Sequence, residues 1–215
     1  MSGYVGACYE LDVASIAAEY RERVAAAPTR SSGYIVEHDT SGRKPDSRRN
    51  EELLAHRMFL MRSTISFQDW NPLEIVDFQT PLNAVRNDGL GKVDLLGSGN
   101  GLCVIELKVV GGDTPLNALL EAVGYCAAVA RNLSVIEDEL LAAGHAVRTG
   151  GPSVLVLAPK DYWRRWDRTR SKADWRAALA FAATKVTDAT KLNVGFGSFD
   201  IESIGPSITA ANVLT

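Results

Sequence analysis

Two apolar stretches of strand length, each interrupted by charge, constrain this chain more than any other feature. Val93-Asp94-Leu95-Leu96 and Val104-Ile105-Glu106-Leu107-Lys108-Val109-Val110 flank Ser98-Gly99-Asn100-Gly101, a segment with strong turn chemistry. A charge inside an apolar strand is costly to bury unless it is paired or bound to a cation. Glu106 and Lys108 are two apart, so on a strand they project from one face. Asp94 joins them in one register only. A three-residue loop, Gly99-Asn100-Gly101, sets Asp94 opposite Glu106 and pairs Val93 with Leu107 and Leu95 with Ile105. The face carrying those two pairs is then wholly apolar, as a core layer should be. A two-residue loop would turn Asp94 to the wrong side, so the apolar pattern selects the first register.

Carboxylates on adjacent strands with open positions suit a hard cation, Mg²⁺ or Mn²⁺, and the backbone carbonyl of Leu107 is a further candidate ligand. A cation there would polarise a scissile phosphate and make a bound water a better nucleophile. Lys108 beside it would orient that water or neutralise charge in the transition state. Spacing leaves open whether Lys108 also acts as a base.

The rest of the chain alternates helices and strands without repeats or linkers. Ile16, Ala17, Tyr20 and Val24 predict a helix over Val13 to Ala26, ended by Pro28. Ser31 to Pro45 reads as a loop with one edge strand at Tyr34 to Val36. Asp46 or Ser47 caps a second helix running to about Arg62, with Glu51 and Glu52 in its first turn. Strands are predicted at Leu73 to Leu82, Gly91 to Gly97 and Leu102 to Val110. Asp113-Thr114-Pro115 opens a helix to about Leu133, and another covers Ser134 to Ala143. Ser153 to Ala158 reads as a buried strand, Asp161 to Thr184 as helix, and Leu192 to Ile201 as a last strand. The expectation is one α/β domain, with 1–45 forming an N-terminal helix and extension packed on a core of 46–215.

Asp94 followed, after a turn, by Glu106-Leu107-Lys108 resembles the signature of the PD-(D/E)xK nuclease superfamily, with Val93 at the loose position before the aspartate. The resemblance covers about residues 46 to 160. It implies a restriction-endonuclease-like core, a mixed central sheet flanked by helices in α-β-β-β-α-β order. It also implies a Mg²⁺- or Mn²⁺-dependent nuclease hydrolysing phosphodiester bonds, with DNA as the expected partner, and it allows a homodimer. Asp94, Glu106 and Lys108 are then the catalytic residues. Many members add an acidic residue from the first core helix, where Glu51 and Glu52 are the candidates. At about 100° per residue Glu51 lies beside Leu54, Ala55 and Met58, whereas Glu52 points toward His56. Glu51 is preferred as a second-metal or water-held ligand, although both also complement a helix N-terminus.

Some branches of the family carry a Gln and a Tyr one turn apart on the next helix. Glu121 and Tyr125 have that spacing, with Glu in place of Gln, so they are candidates for substrate contact, or else a tyrosine at the domain edge beside a solvated glutamate. Lys160, Tyr162, Trp163, Arg164, Arg165 and Trp166 form an aromatic and basic cluster. Lys160 and Arg164 could meet phosphates; the plainer account makes the tryptophans core anchors and leaves the arginines in water.

Composition sets outer limits. The net charge of −3 disfavours a general nucleic-acid coat but not a nuclease with acidic ligands and local basic rims. Such rims are offered by Arg43, Lys44, Arg48 and Arg49 and by Lys160 to Arg170. Cys8, Cys103 and Cys126 are too scattered for a disulfide framework or zinc cluster, and His38, His56 and His145 form no ligand pair. With no membrane-length apolar run and no basic, apolar leader, a cytoplasmic protein without membrane contact is expected. Two rivals to a nuclease stand. One is a non-catalytic nucleic-acid-binding or assembly module with the same fold. The other treats Glu106 and Lys108 as a buried structural ion pair, which would give little net stability.

Overall fold

The computed structural model describes residues 2–35, 50–68, 70–82, 91–148, 150–167 and 174–215. Helices α1 (Ser2–Glu10) and α2 (Val13–Ala26) open the chain, and α3 (Asn50–Leu60) follows. Asp12 caps α2 by accepting the Ser15 N–H at 2.7 Å. Helix α1 was not anticipated. The segment expected as an edge strand is not one where it is described: Tyr34 is buried, and the N–H groups of Tyr34 and Ile35 donate to Glu139. The proposed caps at Asp46 and Ser47 lie outside the described residues.

Strands β1 (Thr64–Phe67), β2 (Leu73–Pro81), β3 (Lys92–Gly99) and β4 (Gly101–Leu107) come next, then α4 (Pro115–Arg131), α5 (Leu133–Ala142) and β5 (Ser153–Pro159). Thr114 caps α4 through the Asn117 N–H, and Pro115 occupies its first turn. The long helical stretch expected after β5 divides into α6 (Lys160–Asp167) and α7 (Trp175–Thr190). Strands β6 (Asn193–Phe199) and β7 (Ser207–Asn212) end the chain. No single helix among the described residues is long and apolar enough to cross a membrane.

The expected open restriction-endonuclease-like sheet does not form. Strands β1 to β7 close into a barrel in chain order. Pairings β1–β2, β2–β3, β3–β4 and β6–β7 are antiparallel, whereas β4–β5, β5–β6 and the closing β7–β1 are parallel. Closure comes from Thr64↔Ser207 through Phe67↔Ala210. Each of these two strands on its own would be an exposed sheet edge; joined, they remove both edges. The order α3, β2, β3, β4, α4, β5 is present along the chain, but β1 stands between α3 and β2 and the barrel replaces the open sheet.

Apolar residues pack in two main layers. Inside the barrel are Ile65, Phe67, Ile75, Phe78, Leu95, Cys103, Ile105, Leu107, Leu155, Leu157, Phe199, Ile208 and Ala210, with Leu54, Ala55 and Met58 of α3 closing on them. Outside, Leu96, Leu102, Val104, Val154, Val156 and Phe196 meet Leu119, Ala122 and Cys126 of α4 and Leu179 and Val186 of α7. Helices α1 and α2 pack on α7, and α2 also packs on α4. Every residue of β4 is therefore buried, as in a sheet covered on both faces.

The β3–β4 register is Leu95↔Ile105, Leu96↔Val104, Gly97↔Cys103 and on to Gly99↔Gly101, with Asn100 alone at the tip. Gly101 has φ +103°, and a Cβ on it would lie 2.7 Å from the Gly150 carbonyl, so the turn needs glycine there. The ladder stops at Leu95. Val93 does not face Leu107 across the barrel interior as the sequence suggested; it is buried in the outer layer. The reason lies one residue on: Asp94 Oδ2 accepts the Leu107 N–H at 3.0 Å, so a carboxylate takes a strand donor. Strand β2 carries a bulge, because Ile75↔Gly97 is followed by Asp77↔Leu96 and leaves Val76 without an opposite number.

Candidate active site

Asp94 near the start of β3 and Glu106 near the end of β4 share the outer sheet face with Lys108, the residue just beyond β4. The first turn of α3 brings Glu51 and Glu52 over them, and α4 brings Glu121 and Tyr125. Gln79 of β2, Gly91 and Lys92 complete the lining of a cleft of about 410 Å³. Two roomier hollows open elsewhere, about 980 Å³ beside Glu74 and His145 and about 650 Å³ between α3 and Val110. Chemistry rather than room selects the smaller one.

Glu106 is 2% exposed. Its Oε1 accepts from Lys108 Nζ at 2.6 Å, while its Oε2 is buried without a hydrogen-bond partner. An unpaired carboxylate oxygen in such a place carries a large desolvation penalty, which a bound cation would remove. Asp94 is held at both oxygens: Oδ2 by the Leu107 N–H at 3.0 Å and Oδ1 by Gln79 Nε2 at 3.2 Å. Lys108 is buried and reaches a second carboxylate, Glu121 Oε2, at 3.3 Å. Glu121 Oε1 in turn accepts the Tyr125 hydroxyl at 2.9 Å. Tyr125 lies against Gly91, where any Cβ would collide with the phenol oxygen.

Burial pushes the Asp94 carboxyl up to about 6, with Glu51 and Glu121 adding to the rise and the Leu107 N–H and Lys108 opposing it. Glu106 is pushed up further, by burial and by Asp94, against the pull of Lys108. Burial acts to lower Lys108, but Glu106, Glu121 and Asp94 outweigh it and hold the ammonium protonated. An uncharged Glu106 would not hold Lys108 up. The 2.6 Å contact favours the ionised Glu106 that burial, Asp94 and Glu121 oppose. Burial acts to raise Glu121, yet Lys108 and the Tyr125 hydroxyl draw it below its ordinary value.

Among the described residues no group of three or more His, Cys, Asp or Glu side chains converges as a ready cation cage. Mg²⁺ does not need one, since it is commonly held by one or two carboxylates with waters and substrate phosphates completing the octahedron. The Asp94–Glu106 pair, with the open oxygen of Glu106, fits that pattern.

Of the residues singled out from sequence, Asp94, Glu106, Lys108, Glu51, Glu121 and Tyr125 meet in one cleft, and Glu52 lines it too. Leu107 turns its side chain into the barrel and gives Asp94 its N–H. Lys160 and Arg164 stand apart on α6, paired with Asp200 at 3.2 Å and Asp161 at 3.1 Å, and neither lines the cleft. Tyr162 and Trp163 are buried, the first donating to the Asp113 carbonyl and the second to the Gly197 carbonyl, so the aromatic half of that cluster is core. The basic residues at 43, 44, 48, 49, 168 and 170 lie outside the described residues. Gln79 was not foreseen. Its strand also carries Glu74, Asp77 and Thr80, so the amide does not stand out in the sequence, and the bulge hides which face it takes. Against protein-family models, curated proteins and solved structures the chain shows no match.

Proposed function

We propose that this cleft is the active site of a divalent-cation-dependent phosphodiesterase acting on nucleic acid, with DNA as the first substrate to try. One observation carries the reading: the buried, unpartnered Oε2 of Glu106 lies beside a second carboxylate and a protonated lysine. The reading takes the site as PD-(D/E)xK in type, carried on a closed barrel rather than on that family's open sheet. Five carboxylates, Glu51, Glu52, Asp94, Glu106 and Glu121, face two lysines, Lys92 and Lys108, along the cleft wall. A polyanion entering alone would be repelled, which favours a cation-loaded site.

When bound, Mg²⁺ or Mn²⁺ supplies Lewis acidity and a more acidic water. Asp94 and Glu106 would hold it, with Glu51 of α3 and the Leu107 carbonyl as further oxygen ligands. Lys108 stays charged, which suits it to stabilise negative charge developing on the phosphate rather than to abstract a proton. Glu121 fixes the ammonium from the helix side, and Tyr125 fixes Glu121.

The test is cleavage of single- and double-stranded DNA and RNA with Mg²⁺, Mn²⁺ or EDTA. Wild type is expected to cut only with cation, and Lys108→Ala to lose on the order of a hundredfold or more in kcat. Equal rates for wild type and Lys108→Ala would sink the assignment. A non-catalytic nucleic-acid-binding or assembly module is the second reading, favoured by the Lys108 bridge between Glu106 and Glu121, which already satisfies the lysine. Nucleic-acid binding without Mn²⁺ uptake at Asp94 and Glu106 would select it.

A further inference from the structure

We infer that Gln79 is the positioning residue for Asp94, and that the β2 bulge is what delivers it to the cleft. The inference rests on the cation-site reading above. Ahead of the bulge, Glu74 pairs with Ser98 and Ile75 with Gly97. Continued unchanged, that register would set Phe78 opposite Asp94. The extra residue, Val76, advances β2 by one, so that Phe78↔Leu95 and Thr80↔Val93 bracket Gln79 and Asp94. Phe78 then enters the barrel interior, and Gln79 takes the outer face beside Asp94. Bulges re-aim side chains in this way.

The backbone at Gln79 reinforces the point. Its φ is +50°, in the left-handed region that a residue with a long side chain rarely adopts. Among the described residues Arg62, Gln68 and Lys191 adopt it too, at turns and a helix end, whereas Gln79 adopts it within a strand, where it must be over-determined by its surroundings. Here it coincides with the hydrogen bond from Gln79 Nε2 to Asp94 Oδ1 at 3.2 Å. With the Leu107 N–H on Oδ2, the carboxylate is fixed at both ends by uncharged donors. Each oxygen keeps a free lone pair, and the negative charge is not neutralised. A lysine in place of Gln79 would fix Asp94 equally well but compete with the cation. An amide orients without competing. Hydrogen bonds of this kind to a ligating carboxylate set its orientation and its affinity.

Mn²⁺ titration of the full chain, with thermal melting in EDTA, tests the inference on wild type, Gln79→Gly, Gln79→Asn and Asp94→Ala. Glycine accepts the +50° backbone freely and asparagine tolerates it, so both Gln79 variants are expected to melt at or above wild type. Glycine lacks the amide and asparagine draws it back by one methylene. Each is expected to weaken Mn²⁺ binding by about 10–100-fold. Wild-type Mn²⁺ affinity in both variants would overturn the positioning role while leaving the cleft reading intact. A wild type that takes up no Mn²⁺, or an Asp94→Ala variant that binds as wild type does, would overturn the cleft reading and this inference with it.

Discussion

Burial and mutual repulsion oppose the ionisation of Glu106 and Asp94, and that has a sign. Asp94 is raised from an ordinary 3.8 to about 6, and Glu106 upward from 4.5, so the native state binds more protons than the unfolded chain above pH 4. The stabilising contribution is full below the unfolded values and is lost as pH climbs through the folded ones. Without divalent cation, wild type compared with Asp94→Asn is therefore expected to lose stability as pH climbs from about 4 through 6, while Glu121, drawn down, contributes with the opposite sign in both. Asp94→Asn should flatten that slope and raise stability at pH 8 relative to wild type. Calorimetry of both proteins in EDTA across that range checks it; a wild type that gains on Asp94→Asn as pH rises would contradict the sign. Mn²⁺ bound at Asp94 and Glu106 would favour their ionised forms, so titration in two buffers of different ionisation enthalpy is expected to register proton release. The meeting of Asp94 with Glu106 and Lys108 was legible in the sequence because charges two apart on a strand share a face, and Glu121 and Tyr125 because one helical turn separates them. Gln79 was not, since a bulge reverses the alternation on which such a reading depends.

At the scale of elements, the hairpin was readable and the barrel closure was not. Leu95 and Ile105 select the register because a slip by one would bury Glu106 among the residues inside the barrel. Strands β1 and β7 span only Thr64–Phe67 and Ser207–Asn212, and their buried residues alternate with exposed ones over too few positions to stand out. Two glycines with positive φ separate local strain from crowding. At Gly144, φ +85°, a Cβ would meet nothing within 4 Å, so Gly144→Ala should cost about 1 kcal/mol from the backbone alone. At Gly101 the same change also drives a methyl toward the carbonyls of Gly150 and Gly151, at 2.7 and 2.8 Å. Gly101→Ala should lower the urea midpoint clearly more than Gly144→Ala does; equal midpoints would mean the hairpin tip is not braced by that contact.

For the whole molecule, closure ties the cleft to global stability. Helix α3 gives Leu54, Ala55 and Met58 to the barrel interior and Glu51 and Glu52 to the cleft, so a cation bound in the cleft would also stabilise the fold. At a concentration a hundredfold above its Kd, Mn²⁺ is expected to add about 2.7 kcal/mol, reversed by EDTA. Ser66→Pro removes a β1 donor at the β1–β7 seam and should open both edges, seen as a lower melting temperature and self-association in light scattering. A monomeric variant that melts as wild type does would show that the seam contributes little.

Strand β4, enclosed on both sides, carries the glutamate and is also the middle of the core. A substitution at the cleft residue of this strand therefore also disturbs the middle of the core. The workable handle is the α4 wall, where Glu121 sits at the solvent margin with a path to the lysine, and where libraries can be built without unfolding what they are meant to modify.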